Sequence, residues 1–247
     1  MQGGIWYPGS GRQIHVDNLV SCARIDKQQP CNLSFITSLD VEGKTIILVV
    51  LDGCGSHNKR ATSLTHERVY TFQDLCSEAF ESHRDLSHAI EYLMSRVTTA
   101  IEGRVQDLRE DEKEMEEIRA QWTYDDSDDI QDEPLESMDT LKAQDWTPSF
   151  HSTVVAISGS DIAVGGPGAF ATALVDCSTG DATWLAPGSM TARIKPNDVL
   201  VLGPRDLPLD KVTPTIARRG ESVDIAELLS SLTAENESTV LCVKVLV

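Results

Sequence analysis

The sequence predicts an α+β protein in which antiparallel sheets are covered by helices. Two observations carry that assignment. Three strand-like segments come before any helix, and after two helices the chain returns to short strands interrupted by one further helix. A parallel βαβ array would alternate strand and helix throughout, and this chain does not.

The elements follow from hydrophobic spacing. Leu19 to Arg24 and Leu33 to Leu39 alternate as half-buried strands do, and Thr45 to Leu51 contains six consecutive apolar residues, Ile46 to Leu51, as expected of a buried strand. The period then changes. Leu64, Val69, Phe72, Leu75, Cys76, Ala79 and Phe80 fall on one face of a helix. Leu86, Ile90, Leu93, Met94, Val97, Ile101, Val105 and Leu108 mark a second, which runs on from Arg109 to Trp122 while its apolar face thins to Met115 and Ile118. Ser152 to Ile157, Asp161 to Gly165, Ala169 to Asp176, Ala182 to Leu185, Asp198 to Gly203 and Thr239 to Val247 are short, β-branched and separated by Gly, Asp or Pro turns. A short helix, Val223 to Leu232, lies among them.

A chain of 247 residues buries a substantial core, and a single domain spanning 1–247 is expected. Its net charge of −18 is uneven. Val105 to Asp145 carries sixteen Asp and Glu against four Lys and Arg, so this acidic insertion, at about residues 109–146, holds most of the excess. Tyr124 to Asp145 has too little apolar surface to offset the entropy of ordering and is expected to be disordered or loosely held. Nucleic-acid binding is not expected, because the only basic clusters are pairs such as Lys59-Arg60 and Arg218-Arg219. A basic protein partner is the better complement.

Six cysteines show neither a Cys-x-x-Cys pair nor zinc-ligand spacing, and Cys76 and Cys242 fall on apolar faces. No segment has the roughly 18 apolar residues of a membrane span. The N-terminal sequence carries no secretory or transit pattern. A soluble intracellular protein in a reducing compartment is expected, cytoplasmic by default with an organelle left open.

The chemistry concentrates in Thr45 to His57, TIILVVLDGCGSH, where a buried strand ends at Asp52-Gly53. A carboxylate there, beside a Gly carbonyl that no Cβ shields, suits a hard oxygen-ligated cation such as Mg²⁺ or Mn²⁺. Asp-Gly is equally a common strand-end turn.

This order of elements resembles the metal-dependent protein phosphatases of the PPM family, the type 2C serine/threonine phosphatases. Five local matches support the resemblance: Arg12 to Asn18 (RQIHVDN); Leu48 to His57 (LVVLDGCGSH); His151 with Ser152 to Ile157; Ile162 to Leu174 (IAVGGPGAFATAL); and Asp198 to Leu207 followed by Glu235 to Val245. They stand where the family has its Arg and acidic pair, Asp-Gly-His-Gly-Gly, Gly-Ser/Thr-Thr-Ala, Val-Gly-Asp-Ser-Arg-Ala, and finally Ser-Asp-Gly with Asp-Asn-x-Thr-Val. The resemblance implies a four-layer αββα β-sandwich flanked by helices. It also implies two divalent ions, held by several carboxylates, that activate a water.

The family's ligands carry over poorly. Asp52 and Gly53 match the first ligand and its carbonyl. Asp17 matches the second member of the acidic pair, but Val16 stands at the first. Pro167 occupies the Asp position of Gly-Asp-Ser-Arg, and Arg205 that of Ser-Asp-Gly, with Asp206 one residue on. The last ligand falls on Asn236, or on Glu235 if the register slips by one. Arg205 pointing inward about 4 Å from a dication would repel it by up to roughly 8 kcal/mol at an effective dielectric near 20. Arg12 matches the family's phosphate-binding arginine and is equally an ordinary surface residue. His57 is either an acid beside the site or a hydrogen-bonded turn residue, and Gly165 to Ala169 is a hairpin turn rather than a phosphate loop, since it lacks a Lys-Ser/Thr.

The expected function is therefore a PPM-like pseudophosphatase that serves as a binding or structural subunit, with no cofactor. The alternative is an active divergent Mg²⁺- or Mn²⁺-dependent phosphatase using Asp17, Asp52, Asp206 and Glu235. A third reading makes the acidic arm itself the working part, docking a basic partner.

Overall fold

The computed structural model describes residues 3–6, 14–16, 20–25, 32–40, 44–53, 59–122, 150–166, 170–188, 192–204, 206–233 and 240–246. Among these residues, twelve strands form two antiparallel six-stranded sheets. The first sheet has the order β1 (Gly3–Trp6), β4 (Asn32–Asp40), β5 (Lys44–Gly53), β6 (Phe150–Ser158), β7 (Asp161–Gly165) and β10 (Ala192–Arg193). The second runs β2 (Ile14–Val16), β3 (Val20–Ile25), β12 (Val240–Val245), β11 (Val199–Gly203), β8 (Ala171–Val175) and β9 (Ala182–Leu185).

Helices α1 (Lys59–Ser82) and α2 (Leu86–Trp122) cover the first sheet, and α3 (Thr213–Arg219) and α4 (Ile225–Thr233) cover the second. Asp85 caps α2 by accepting a hydrogen bond from the His88 N–H (2.9 Å), and Asp224 caps α4 through the Ala226 N–H (2.9 Å). The α+β sandwich expected from the sequence is thus what the chain forms.

Three apolar layers result, and strand β5 serves two of them. Ile46, Leu48 and Val50, with Val155 and Ile162 of the same sheet, face the opposing sheet, where they meet Leu200, Leu241 and Val243. Ile47, Val49 and Leu51 face the helices, against Phe72, Cys76, Ala79, Ile90 and Leu93. Because successive side chains point to opposite faces, a strand buried on both must be apolar at every position. The third layer packs Val201, Cys242 and Val240 under Ile216, Leu228 and Leu232. Cys76 and Cys242 are buried, and burial pushes both thiols up to about 12, so they pack as small apolar groups.

The structure adds elements the sequence pattern does not announce. β1 and β2 form at the Gly/Pro-rich start, giving five strands before the first helix rather than three, and β10 and α3 are too short to show a period. Helix α1 begins at Lys59, ahead of its first apolar residue. Helix α2 is continuous to Trp122, so residues 109–122 of the acidic insertion are helical, which moves the start of any disordered stretch from about 109 to beyond Trp122. The reading of Tyr124 to Asp145 falls outside the described residues. Among the described residues no helix is long and apolar enough to cross a membrane.

Helix α2 crosses the first sheet closely and in a definite direction. A Cβ added at Gly165 would collide with Ile90 Cγ2, so only glycine admits the helix this close. Gly165 is opposite Val154, and one turn further along α2 the Ser152 hydroxyl donates to Met94 Sδ at 3.6 Å. The helix therefore advances toward the end of the sheet where β5 finishes at Asp52 and Gly53. Phe72→Ala, which empties a fully buried site, is expected to cost about 3–5 kcal/mol. Gly165→Val should cost about 1–3 kcal/mol by forcing α2 away. Both are measured by urea unfolding, and an unchanged midpoint for either would contradict this packing.

Candidate functional site

One end of the sandwich collects the ends of several strands. Asp52 and Gly53 close β5 there, opposite His151 and Phe150 of β6 and, for Asp52, Asn32 of β4. In the second sheet, Gly203 ends β11 opposite Ala171, the first residue of β8, while Val240 starts β12 opposite Ile25. The link from Gly165 to Phe170 crosses between the two sheets at this end, and the Thr153 hydroxyl donates to the Phe170 carbonyl at 3.3 Å. This end is the mouth.

The residues of β5 that lead to this end, Ile46, Leu48 and Val50, face the second sheet. Thr153 and Thr172 bring hydroxyls toward the same region; both are buried, and Thr172 Oγ1 has no hydrogen-bond partner among the described residues. His151 stands directly across the strand pair from Asp52. His151, Thr153 and Thr172 were not among the site residues read from the sequence. The β5–β6 register would have revealed His151, but register depends on pairing that no local pattern specifies.

The sequence-derived candidates distribute unevenly. Asp206 is exposed in a turn just beyond β11, where the Leu207 N–H donates to the Pro204 carbonyl (3.2 Å), so Asp52 and Asp206 belong to the same end. Glu235 lies outside the described residues, between the end of α4 and the start of β12 at the mouth. Arg12 lies outside them too, in the link that leaves β1 at Trp6, opposite Ser34 near the β5 end. Asp17, Arg205, Asn236, Pro167 and His57 are likewise outside. The residues flanking Asp17 are informative: Val16 pairs with Val20, and Val20 with Val245, at the far end of β12 from Val240. Six strand residues separate those ends by about 17 Å.

Two dications bring four positive charges and require several carboxylates around them. The described strand ends and turns at the mouth supply Asp52 and the exposed Asp206. The crossover, Gly165-Gly166-Pro167-Gly168-Ala169-Phe170, has no side chain with a ligand oxygen. Among the described residues these are fewer carboxylates than two dications require.

A second acidic cluster, Asp176, Cys177 and Asp198, lies at the opposite end, with its potential ligand atoms within 4.8 Å of one another. Its oxygens are already engaged. Asp198, buried, accepts from the Cys177 N–H (3.0 Å) with one oxygen and from the Lys195 N–H (2.8 Å) with the other. Asp176 accepts from the N–H groups of Ser178 (2.8 Å) and Thr179 (3.1 Å) and pairs with the Lys195 ammonium (2.6 Å). The Lys195 contact, followed by Ser178, holds the Asp176 carboxyl well below the ordinary range. Burial, then Asp198, pushes the Cys177 thiol up. A protonated thiol and fully engaged carboxylates make a structural clasp between the β8–β9 turn and the β10–β11 link, not an ion site.

Comparison with known proteins agrees with this architecture. No protein-family model matches the sequence, and no curated protein matches it. The fold is that of the metal-dependent protein phosphatases of the PPM, or type 2C, family. RsbX in complex with magnesium is 13% identical with a TM-score of 0.54, over 95% of this chain and 98% of that one. The serine/threonine phosphatase of S. agalactiae is 13% identical with a TM-score of 0.55, over 92% and 98%. The catalytic domain of the serine/threonine protein phosphatase PstP, in complex with two manganese ions, is 13% identical with a TM-score of 0.50, over 93% and 99%.

The clasp has a pH signature. Asp176 is depressed in the folded state, so its stabilisation is complete above the unfolded carboxyl value, about 3.9, and is lost as pH falls below it. The difference between the urea midpoints of the wild type and Asp176→Asn should be full at about pH 6, begin to shrink below about pH 4, and vanish only as pH falls through the depressed folded value. A constant difference would show that the carboxylate charge is irrelevant.

Proposed function

We propose that this protein is a pseudophosphatase, a PPM-fold chain that binds or organises partners and does not hydrolyse phosphate esters. The observation that carries the reading is the sequence of the segment that joins the sheets between β7 and β8, which has glycine, proline, alanine and phenylalanine where the family resemblance implies an aspartate. The position of the Asp17 flank, at the other end of β12, also supports it. With Asp52 and Asp206 as the main carboxylates, the cleft lacks the negative charge needed to offset two dications. On this reading no metal cofactor is used, and the partner is a protein of basic character in a soluble intracellular setting, with neither nucleic acid nor membrane involved.

A second reading rests on Asp52 and Asp206 sharing the mouth. With Glu235, and with Asp17 brought across, they would make a divergent Mg²⁺- or Mn²⁺-dependent serine/threonine phosphatase, and Arg12 would hold the phosphate.

The purified chain with Mn²⁺ is expected to show no turnover of p-nitrophenyl phosphate or a phosphoserine peptide above the metal-only background. Turnover that Asp52→Asn abolishes would establish the enzyme instead. Calorimetry gives an independent check: Mn²⁺ at millimolar concentration should produce no binding heat, whereas micromolar binding lost in both Asp52→Asn and Asp206→Asn would favour the second reading.

A further inference from the structure

Beyond Val97, every described side chain of α2 is exposed, from Thr98 to Ile118. The helix continues to Trp122, about 25 residues past Val97 on the side of the Asp52 end, with α1 packed beside its earlier part. A helix face left exposed gains little tertiary stabilisation and relies on favourable side-chain pairs or a partner.

Opposite-charge spacings such as Arg109–Glu112, Lys113–Glu116 and Glu116–Arg119 occur elsewhere on this arm, but along one stripe like charges meet. Asp107, Glu110, Glu114 and Glu117 are spaced by three and four residues and lie within a stripe about 80° wide. Asp107 with Glu110, Asp107 with Asp111, Glu110 with Glu114, and Glu114 with Glu117 are like-charge neighbours, each of which weakens an isolated helix. Against them stand a Lys113–Glu117 ion pair at 3.8 Å and a Gln106–Glu110 hydrogen bond at 2.7 Å. Along one edge of the stripe, Met115 is 51% exposed and Ile118 40%, making an apolar border to the carboxylates.

We infer that this face of α2 docks an amphipathic Lys/Arg-rich segment of a protein partner. The inference deepens the binding-subunit reading and rests on it. Charge selects the occupant: cationic side chains across the stripe turn four repulsive neighbours into attractive ones, while an apolar residue beside them covers Met115 and Ile118. A second copy of this chain would set carboxylates against carboxylates, and nucleic acid would be repelled. The surface from Asp107 to Ile118 is about 18 Å long, which matches a helix of about 12 residues. A partner held there lies beside the mouth.

The test is fluorescence anisotropy of the full chain against a labelled amphipathic Lys/Leu peptide of about 14 residues, compared with a scrambled peptide of the same composition, at about 0.15 M salt. The amphipathic peptide should bind about tenfold more tightly than the scrambled one. Binding should weaken about tenfold in the E110Q/E114Q/E117Q variant and severalfold in M115S/I118S. Helicity by circular dichroism and the urea midpoint verify that both variants are folded. Equal binding of the two peptides, or binding unchanged in the folded variants, overturns the inference. So does sedimentation showing a dimer of this chain that M115S/I118S dissociates. Phosphatase turnover with this peptide binding intact would retire the pseudophosphatase reading alone; no turnover and no peptide binding would retire the arm alone.

Discussion

Strand β5 is the constraint on which the rest of the structure depends. Its even-numbered residues fill the space between the sheets and its odd-numbered residues fill the space under α1 and α2. A slip by one residue would exchange two buried faces of different shape, so packing on both sides fixes its register. That register decides which residue stands where the apolar run stops. Asp52 is the first charged position after it, opposite His151, because Leu51 is the last that the helices cover.

The two ends of the sandwich use polar residues differently. At the far end, Asp176, Asp198 and Lys195 satisfy one another and nearby backbone groups, and their charges serve folding. Lys244 behaves similarly inside the second sheet: it is buried, with its ammonium donating to the carbonyls of Glu221 and Val223. At the mouth, Thr172 keeps a buried hydroxyl without a partner among the described residues, and Asp206 stays in solvent. Polar groups that folding leaves unsatisfied are the usual material of binding sites.

Much of the fold was legible in the sequence. Ile46 to Leu51 announced a strand buried on both faces, and the spacing from Leu86 to Leu108 announced α2, because both patterns repeat often enough to exceed chance. β1, β2, β10 and α3 were not legible, since they are short and take their stability from neighbours rather than from their own periodicity. The site was less legible than the fold. Asp52 stood out because it terminates an apolar run, but its companions depend on which strand ends meet. That is how Asp206 shares the mouth with Asp52 while the strands flanking Asp17 turn at the other end. The clasp residues were hidden for the same reason: Asp176 and Lys195 are nineteen positions apart, and only the antiparallel return of β8, β10 and β11 brings them together.

The clasp also has a mechanical meaning. At its end the link between the sheets is tied into both: the Ile194 N–H donates to the Ser160 carbonyl, the Asn197 N–H donates to Val245, and Asp198 grips its neighbours. The sandwich resembles a book bound along that spine. At the opposite margin, where Asp52 stands, the covers are joined by the Gly165–Phe170 crossover, which Thr153 ties through the Phe170 carbonyl.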